Sequence, residues 1–127
     1  MESITNQRDS ETSVQATTIN ADTERAARAF LAKAAQQYDL VGALLFGSQA
    51  RGDHRPDSDV DIAVLLRGPR GNFLDTKLAL ADIAYEVLLE TGILIQPLPI
   101  WDEEWEHPER SPNPELLRNI DRDGVRL

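Results

Sequence analysis

Residues 41–66 read VGALLFGSQARGDHRPDSDVDIAVLL. Two apolar runs enclose a polar link. The first, VGALLF over 41–46, is too short for a helix and is cut off by Gly47, which predicts a central strand covered on both faces. The second, VDIAVLL over 60–66, is another strand. Between them GSQARGDHRPD is turn-rich, and Ala50 and Arg51 extend a single helical turn that opens at Ser48. Free backbone N–H groups after a strand end form an anion site. Gly47 lets a phosphate approach the backbone closely, Ser48 adds a hydroxyl, and Arg51 and Arg55 neutralise charge. Asp59 and Asp61 flank Val60, and strand alternation puts them on one face. Two neighbouring carboxylates repel unless a cation lies between them. Their hard oxygens suit Mg²⁺, which in turn suits nucleotide phosphates.

Outward from this stretch the pattern predicts an α/β layer with few strands. Residues 1–21 are Ser/Thr/Asn/Gln-rich without periodicity and read as a weakly ordered or disordered tail, with one domain over 22–127. Asp22 or Thr23 caps a helix running to about Gln37, with Ala27, Phe30, Leu31, Ala34 and Tyr38 on its buried stripe. Arg67 to Asn72 is a loop. Asn72 caps a long helix ending at Thr91-Gly92, with Leu74, Leu78, Ala81, Tyr85 and Leu88 marking its inner face and Ile83, Ala84 and Val87 widening it. Ile93 to Leu98 is a third strand, at an edge or ending there because of Pro97 and Pro99. Trp101 to Glu109 is acidic and helical for a turn or two. Asn113-Pro114 opens a short last helix through Leu117 and Ile120, stopping by Gly124.

Composition narrows the function. The chain has 127 residues, enough for one domain with a core, and no Cys, which excludes disulfides, thiolate metal sites and cysteine catalysis. A net charge of −9 repels nucleic-acid backbones and anionic membranes. No apolar run approaches a membrane span, and the N-terminus has no apolar secretory core, so the expected location is cytoplasmic.

The segment GSQARGDHRPDSDVD, residues 47–61, resembles the signature of the DNA polymerase β-like nucleotidyltransferase superfamily, and more narrowly its minimal nucleotidyltransferase domains. The resemblance covers about residues 23 to 127, including the ending NPELLRNIDRDGVRL. It implies a small mixed β-sheet with helices packed on it. It also implies that Gly47 and Ser48 hold a nucleoside triphosphate, that Asp59 and Asp61 bind catalytic Mg²⁺, and that Ser58 is a structural residue of the turn. Many relatives are antitoxins paired with a HEPN-domain ribonuclease toxin, transferring AMP from ATP to a toxin tyrosine; others modify aminoglycosides.

The family pattern has a third carboxylate on the strand after the long helix. Here that strand's polar residue is Gln96, whose amide offers a carbonyl oxygen but takes no proton. Asp102, Glu103 and Glu104 follow shortly and either substitute for it or form a solvated helix face with Glu106 and Glu109. Glu86 and Glu90 read as solvated, and His54 lies between the phosphate and metal ends of the link. His107 reads as a surface residue, Tyr38 and Tyr85 as core. Trp101 and Trp105, four apart on one helical face, either pack on the sheet or meet a partner. The expected function is transfer of a nucleoside monophosphate, AMP from ATP, to an acceptor hydroxyl on a HEPN-type toxin. The alternatives are a degenerate domain that neutralises its partner by contact, and a small-molecule nucleotidyltransferase.

Overall fold

Helix α1 (Ala21–Ala34) is capped by Asn20, whose side chain accepts from the Asp22 N–H at 2.7 Å, so the cap lies two residues before the expected Asp22. The helix ends at Ala34 and residues 35–37 turn away, short of the expected Gln37. The computed structural model describes residues 20–47 and 59–127. Of the tail expected over residues 1–21, Asn20 and Ala21 belong to the start of α1, and residues 1–19, like the helical turn expected after Ser48, lie outside the described residues.

Strands β1 (Leu40–Phe46) and β2 (Val60–Leu66) pair antiparallel, with Phe46 opposite Asp61. Helix α2 (Phe73–Thr91) then crosses over to strand β3 (Ile95–Trp101), which pairs parallel with β2. Helix α3 (Asp102–Glu106) and a 3₁₀ turn (Pro108–Arg110) lead to helix α4 (Pro114–Asp123). A two-residue strand β4 (Val125–Arg126), too short to show in the sequence pattern, closes the other side of β1. The sheet order is β3-β2-β1-β4, a mixed sheet of four strands among the described residues. The expected fold class is therefore observed. No helix among the described residues is long and apolar enough to cross a membrane.

Alternation divides the sheet between two cores. Leu45, Ile62, Val64 and Leu66 face α1 and α2, where Phe30, Leu80 and Val87 complete one cluster. Leu44, Ala63, Leu65 and Ile100 face the other way, onto Leu117 and Ile120 of α4. The central strands are thus covered on both faces, as their unbroken apolar runs require.

Strand β3 is an edge, as its prolines suggest, but it does not stop at them. The Val60 N–H donates to the Leu94 carbonyl at 2.9 Å, so Leu94, Gln96 and Leu98 turn their backbones toward β2. Pro97 and Pro99 then turn toward the open edge, where a missing N–H costs no ladder bond.

Helix α2 corrects the expected inner face. The buried residues are Thr76, Leu80, Ile83, Ala84 and Val87. Leu74, Leu78 and Tyr85 are exposed, Ala81 with them, and Leu88 is half-buried. The helix is apolar around most of its circumference, so periodicity alone could not select the face that meets the sheet.

Trp101 is the last residue of β3 and lies in the α1–α2 cluster, whereas Trp105 packs toward α4. They do not share a helical face. Trp101 is buried and Trp105 half-buried, so both pack in the fold, the first of the two alternatives.

Helix α2 stops at Gly92, in the left-handed conformation at φ +78°, with nothing near the position a Cβ would take. Gly92→Ala therefore meets only backbone strain. We expect it to lower unfolding free energy by about 1 kcal/mol, measured by urea denaturation.

Candidate active site

The antiparallel register of β1 and β2 brings the end of one strand beside the start of the other. Gly47, the first residue past β1, has φ +72°, a conformation that favours glycine. A Cβ built there would collide with Oδ2 of Asp61. The group that approaches Gly47 in the structure is the Asp61 carboxylate.

Asp61 has the same strand parity as Ala63 and Leu65, so it faces the α4 side, and Asp59 precedes it by two. Gln96 lies opposite Asp61 across the parallel β2–β3 pair. Its Nε2 donates to Oδ2 of Asp59 at 2.9 Å. The three side chains open into one cavity of about 590 Å³ at the end of the sheet. Phe46, Leu98 and Leu116 form its apolar wall. The i, i+2 expectation for the two acids is met in geometry, and Gln96 points at the pair.

Lys77 also lines this cavity, and the sequence reading did not single it out. It comes from the first turns of α2, and its Nζ donates to the Pro97 carbonyl at 2.9 Å. That carbonyl is available because Pro97 faces the open edge of β3. The available signal was that Lys77 is one of only two lysines in the chain and is followed by an apolar run, Leu78 to Ala81.

Ser48, Arg51, Arg55, His54 and Ser58 lie outside the described residues. The acids after β3 do not join the site. Glu104 is buried, bonded to Arg70 Nη1 at 2.9 Å and accepting from the Trp101 N–H at 3.0 Å. It borders a separate cavity of about 260 Å³. Arg70 in turn stacks over Phe73 and Trp101, 5.0 and 5.8 Å from the ring centres. Asp102 accepts from the Gly68 N–H at 2.8 Å, and neither it nor Glu103 lines the Asp59–Asp61 cavity. So Glu104 is neither solvated nor a substitute acid: it ties α3 to the loop after β2. Glu86 and Glu90 are exposed, as expected, and reach Lys33 of α1 at 3.5 and 3.4 Å. Among the described residues no three His, Cys, Asp or Glu side chains gather as a metal-ligand set.

This geometry, an acid pair at the start of a strand facing the glycine that ends its neighbour, coincides with a family match. A sequence model described as nucleotidyltransferase domain matches residues 27–115. The chain belongs to that family. The match spans α1 to the start of α4 and so contains every described residue of the site except Leu116. A protein of Methanocaldococcus jannaschii named "Putative protein adenylyltransferase" is 38% identical over 71 residues, 54% of this chain and 48% of that protein. The chain thus matches about half the length of that relative. A crystal structure of a "putative nucleotidyltransferase" from Sulfolobus solfataricus superposes with a TM-score of 0.57 at 18% identity, over 89% of this chain and 87% of that one. The likeness establishes the nucleotidyltransferase fold.

Gly47→Ala provides a test of the close approach. It carries the same positive-φ strain as Gly92→Ala and adds the collision with Asp61. In this nucleotidyltransferase domain we expect Gly47→Ala to be more destabilising than Gly92→Ala in urea. Equal losses would show that the Asp61 carboxylate moves aside at no cost.

Proposed function

We propose that this nucleotidyltransferase domain transfers AMP from ATP, with Mg²⁺, to a hydroxyl on another protein. The observation that carries the reading is the single cavity shared by Asp59, Asp61, Gln96 and Lys77 beside Gly47. The name of the Methanocaldococcus jannaschii relative supports AMP as the group and a protein as the acceptor. The resemblance to minimal nucleotidyltransferase domains supplies the setting: an antitoxin acting on a HEPN-type toxin in the cytoplasm.

The donor set fits the metal. Two carboxylates opening into one cavity offer hard oxygens, which suit an ion of the Mg²⁺ type that completes its shell with water and phosphate, while Gln96 turns its Nε2 toward Asp59. When bound, such an ion neutralises charge on the triphosphate and the departing pyrophosphate. The chain's own residues do the rest. Gly47 and Ser48 receive phosphate at backbone N–H groups, and Arg51 and Arg55 balance its charge. Lys77 is anchored on Pro97 by one of three N–H donors, and an ammonium so held suits a phosphate oxygen. Gln96 holds Asp59 through Oδ2 and so fixes the direction of that carboxylate. The acceptor oxygen bonds to the α-phosphorus, the bond to the bridging oxygen breaks, and pyrophosphate leaves. The hydroxyl proton passes to solvent or to a carboxylate of the pair, because the Gln96 amide takes none.

A second reading has its own observation. With Gln96 where the family pattern has an acid, the chain suits a degenerate domain that neutralises a partner by contact alone. The two separate in one experiment: purified protein with labelled ATP, Mg²⁺ and a HEPN-type acceptor. Asp59→Asn and Asp61→Asn should each weaken Mg²⁺–ATP binding in calorimetry and abolish labelling of the acceptor. Gln96→Glu should raise the transfer rate, by at most the factor of about 10²–10⁴ that a positioned base contributes. It should also destabilise the metal-free protein, because it replaces a donor to Asp59 with a like charge. No labelling by wild type, with neutralisation undiminished in Asp59→Asn, would establish the contact-only antitoxin.

A further inference from the structure

Helix α2 has a second apolar face that no described element covers. Leu74, Leu78, Tyr85 and Leu89 are 62%, 56%, 58% and 70% exposed. Ala81 is exposed with them and Leu88 is half-buried. Single exposed apolar side chains are ordinary, but a continuous row of large ones marks an interaction site.

The spacing of the row shows what kind of contact it suits. Leu74, Leu78, Ala81, Tyr85 and Leu88 follow one another at steps of four, three, four and three. That is the d-a-d-a-d order of a heptad seam. Leu89 widens the seam at its end, and the small side chain of Ala81 lets a second helix come close at its middle. Thr76, Leu80, Ile83 and Val87, which face the fold's own core, lie away from this row.

The flanks select the occupant. Beside a heptad seam lie positions e and g, whose charges set the partner and its direction. Asp75 and Asp82 take e and are exposed, and Lys77 takes g between them. Lys77 gives one N–H to the Pro97 carbonyl and keeps two. Two copies of net charge −9 repel unless such flanks offset the repulsion. When two α2 helices run parallel about a two-fold axis, g of each meets the following e of the other. Lys77 then faces Asp82 of the partner subunit, and Asp82 faces the partner's Lys77. When they run antiparallel, e meets e, and Asp75 faces the partner's Asp82. The parallel pair alone uses the apolar row and both signs of charge, so the face is complementary to itself.

We propose that α2 pairs with α2 of a second copy of this chain, parallel and in register, through the seam from Leu74 to Leu88 and two Lys77–Asp82 ion pairs. Lys77 lines the cavity of Asp59 and Asp61, so each copy sets an acid beside the other's site. The pairing does not rest on the transferase reading.

The chain has no Cys, so a single introduced one reports its own neighbour. In a parallel pair each seam residue meets its own copy. Leu74→Cys and Tyr85→Cys should each form a disulfide-linked dimer alone, about tenfold faster or more than Glu86→Cys, which is exposed but off the seam. Linkage only between Leu74→Cys and Tyr85→Cys in a mixture would mean antiparallel helices and overturn the proposal. In sedimentation the wild-type chain should be a dimer. Leu78→Ser/Tyr85→Ser keeps the charge and should weaken it about tenfold or more, with unchanged melting. Lys77→Glu and Asp82→Lys should each weaken the dimer, and mixing the two should restore it, because the reversed charges then face each other and the total charge of the pair is that of the wild type. A wild-type monomer would overturn the proposal. So would a dimer that Leu78→Ser/Tyr85→Ser leaves unchanged, a mixture that associates no better than either reversal alone, or linkage that appears only after residues 1–19 are removed.

Discussion

The Asp61 carboxylate lies against Gly47, in the space that any side chain at that position would fill. Much of the site follows from this contact. Antiparallel pairing of β1 with β2 makes the chain leave and re-enter the sheet at the same end, with Phe46 opposite Asp61. Residues separated by a polar link of more than ten positions thereby become neighbours. Strand β2 is flanked by β1 and β3, so an acid at its start meets Gly47 on one side and Gln96 on the other. Glycine is needed because backbone and carboxylate share one small volume, and because φ is positive there.

The two prolines of β3 belong to the same arrangement. A parallel edge strand turns alternate residues outward, and Pro97 and Pro99 take those outward positions. The Pro97 carbonyl is then free of the ladder, and Lys77 binds it. An edge that would otherwise invite another strand is thus occupied at one point by a lysine, which also lies at the cavity of the acid pair. Helix α2 connects two surfaces in this way. Its inner face fills the core against the sheet, and its outer apolar row begins beside the site.

The acidic stretch after β3 shows how burial changes the meaning of a charge. In sequence Glu104 is one of three consecutive acids and looks solvated. In the fold it is buried, and Arg70 and the Trp101 N–H satisfy its two oxygens. A buried carboxylate persists only when so paired, which makes Glu104 a structural tie between α3 and the loop after β2.

The sequence by itself determined the order of elements, because each apolar run has its own period and its own stops. It showed two strands around a polar link, and helices opened by Asn72 and Asn113 and closed near Gly92 and Gly124. It also placed Asp59 and Asp61 on one face, since strand alternation is local geometry, whereas Gln96 stood out only against the pattern of the family the segment resembles. Local patterns could not say which of two apolar faces of α2 meets the sheet, nor that two residues at the end would pair as β4. They could not say that Lys77 lines the cavity of the acid pair or that Glu104 is buried. Those outcomes depend on strand order and helix packing, which join residues tens of positions apart. Only the tertiary structure decides them, because burial and hydrogen bonding are settled by neighbours in space.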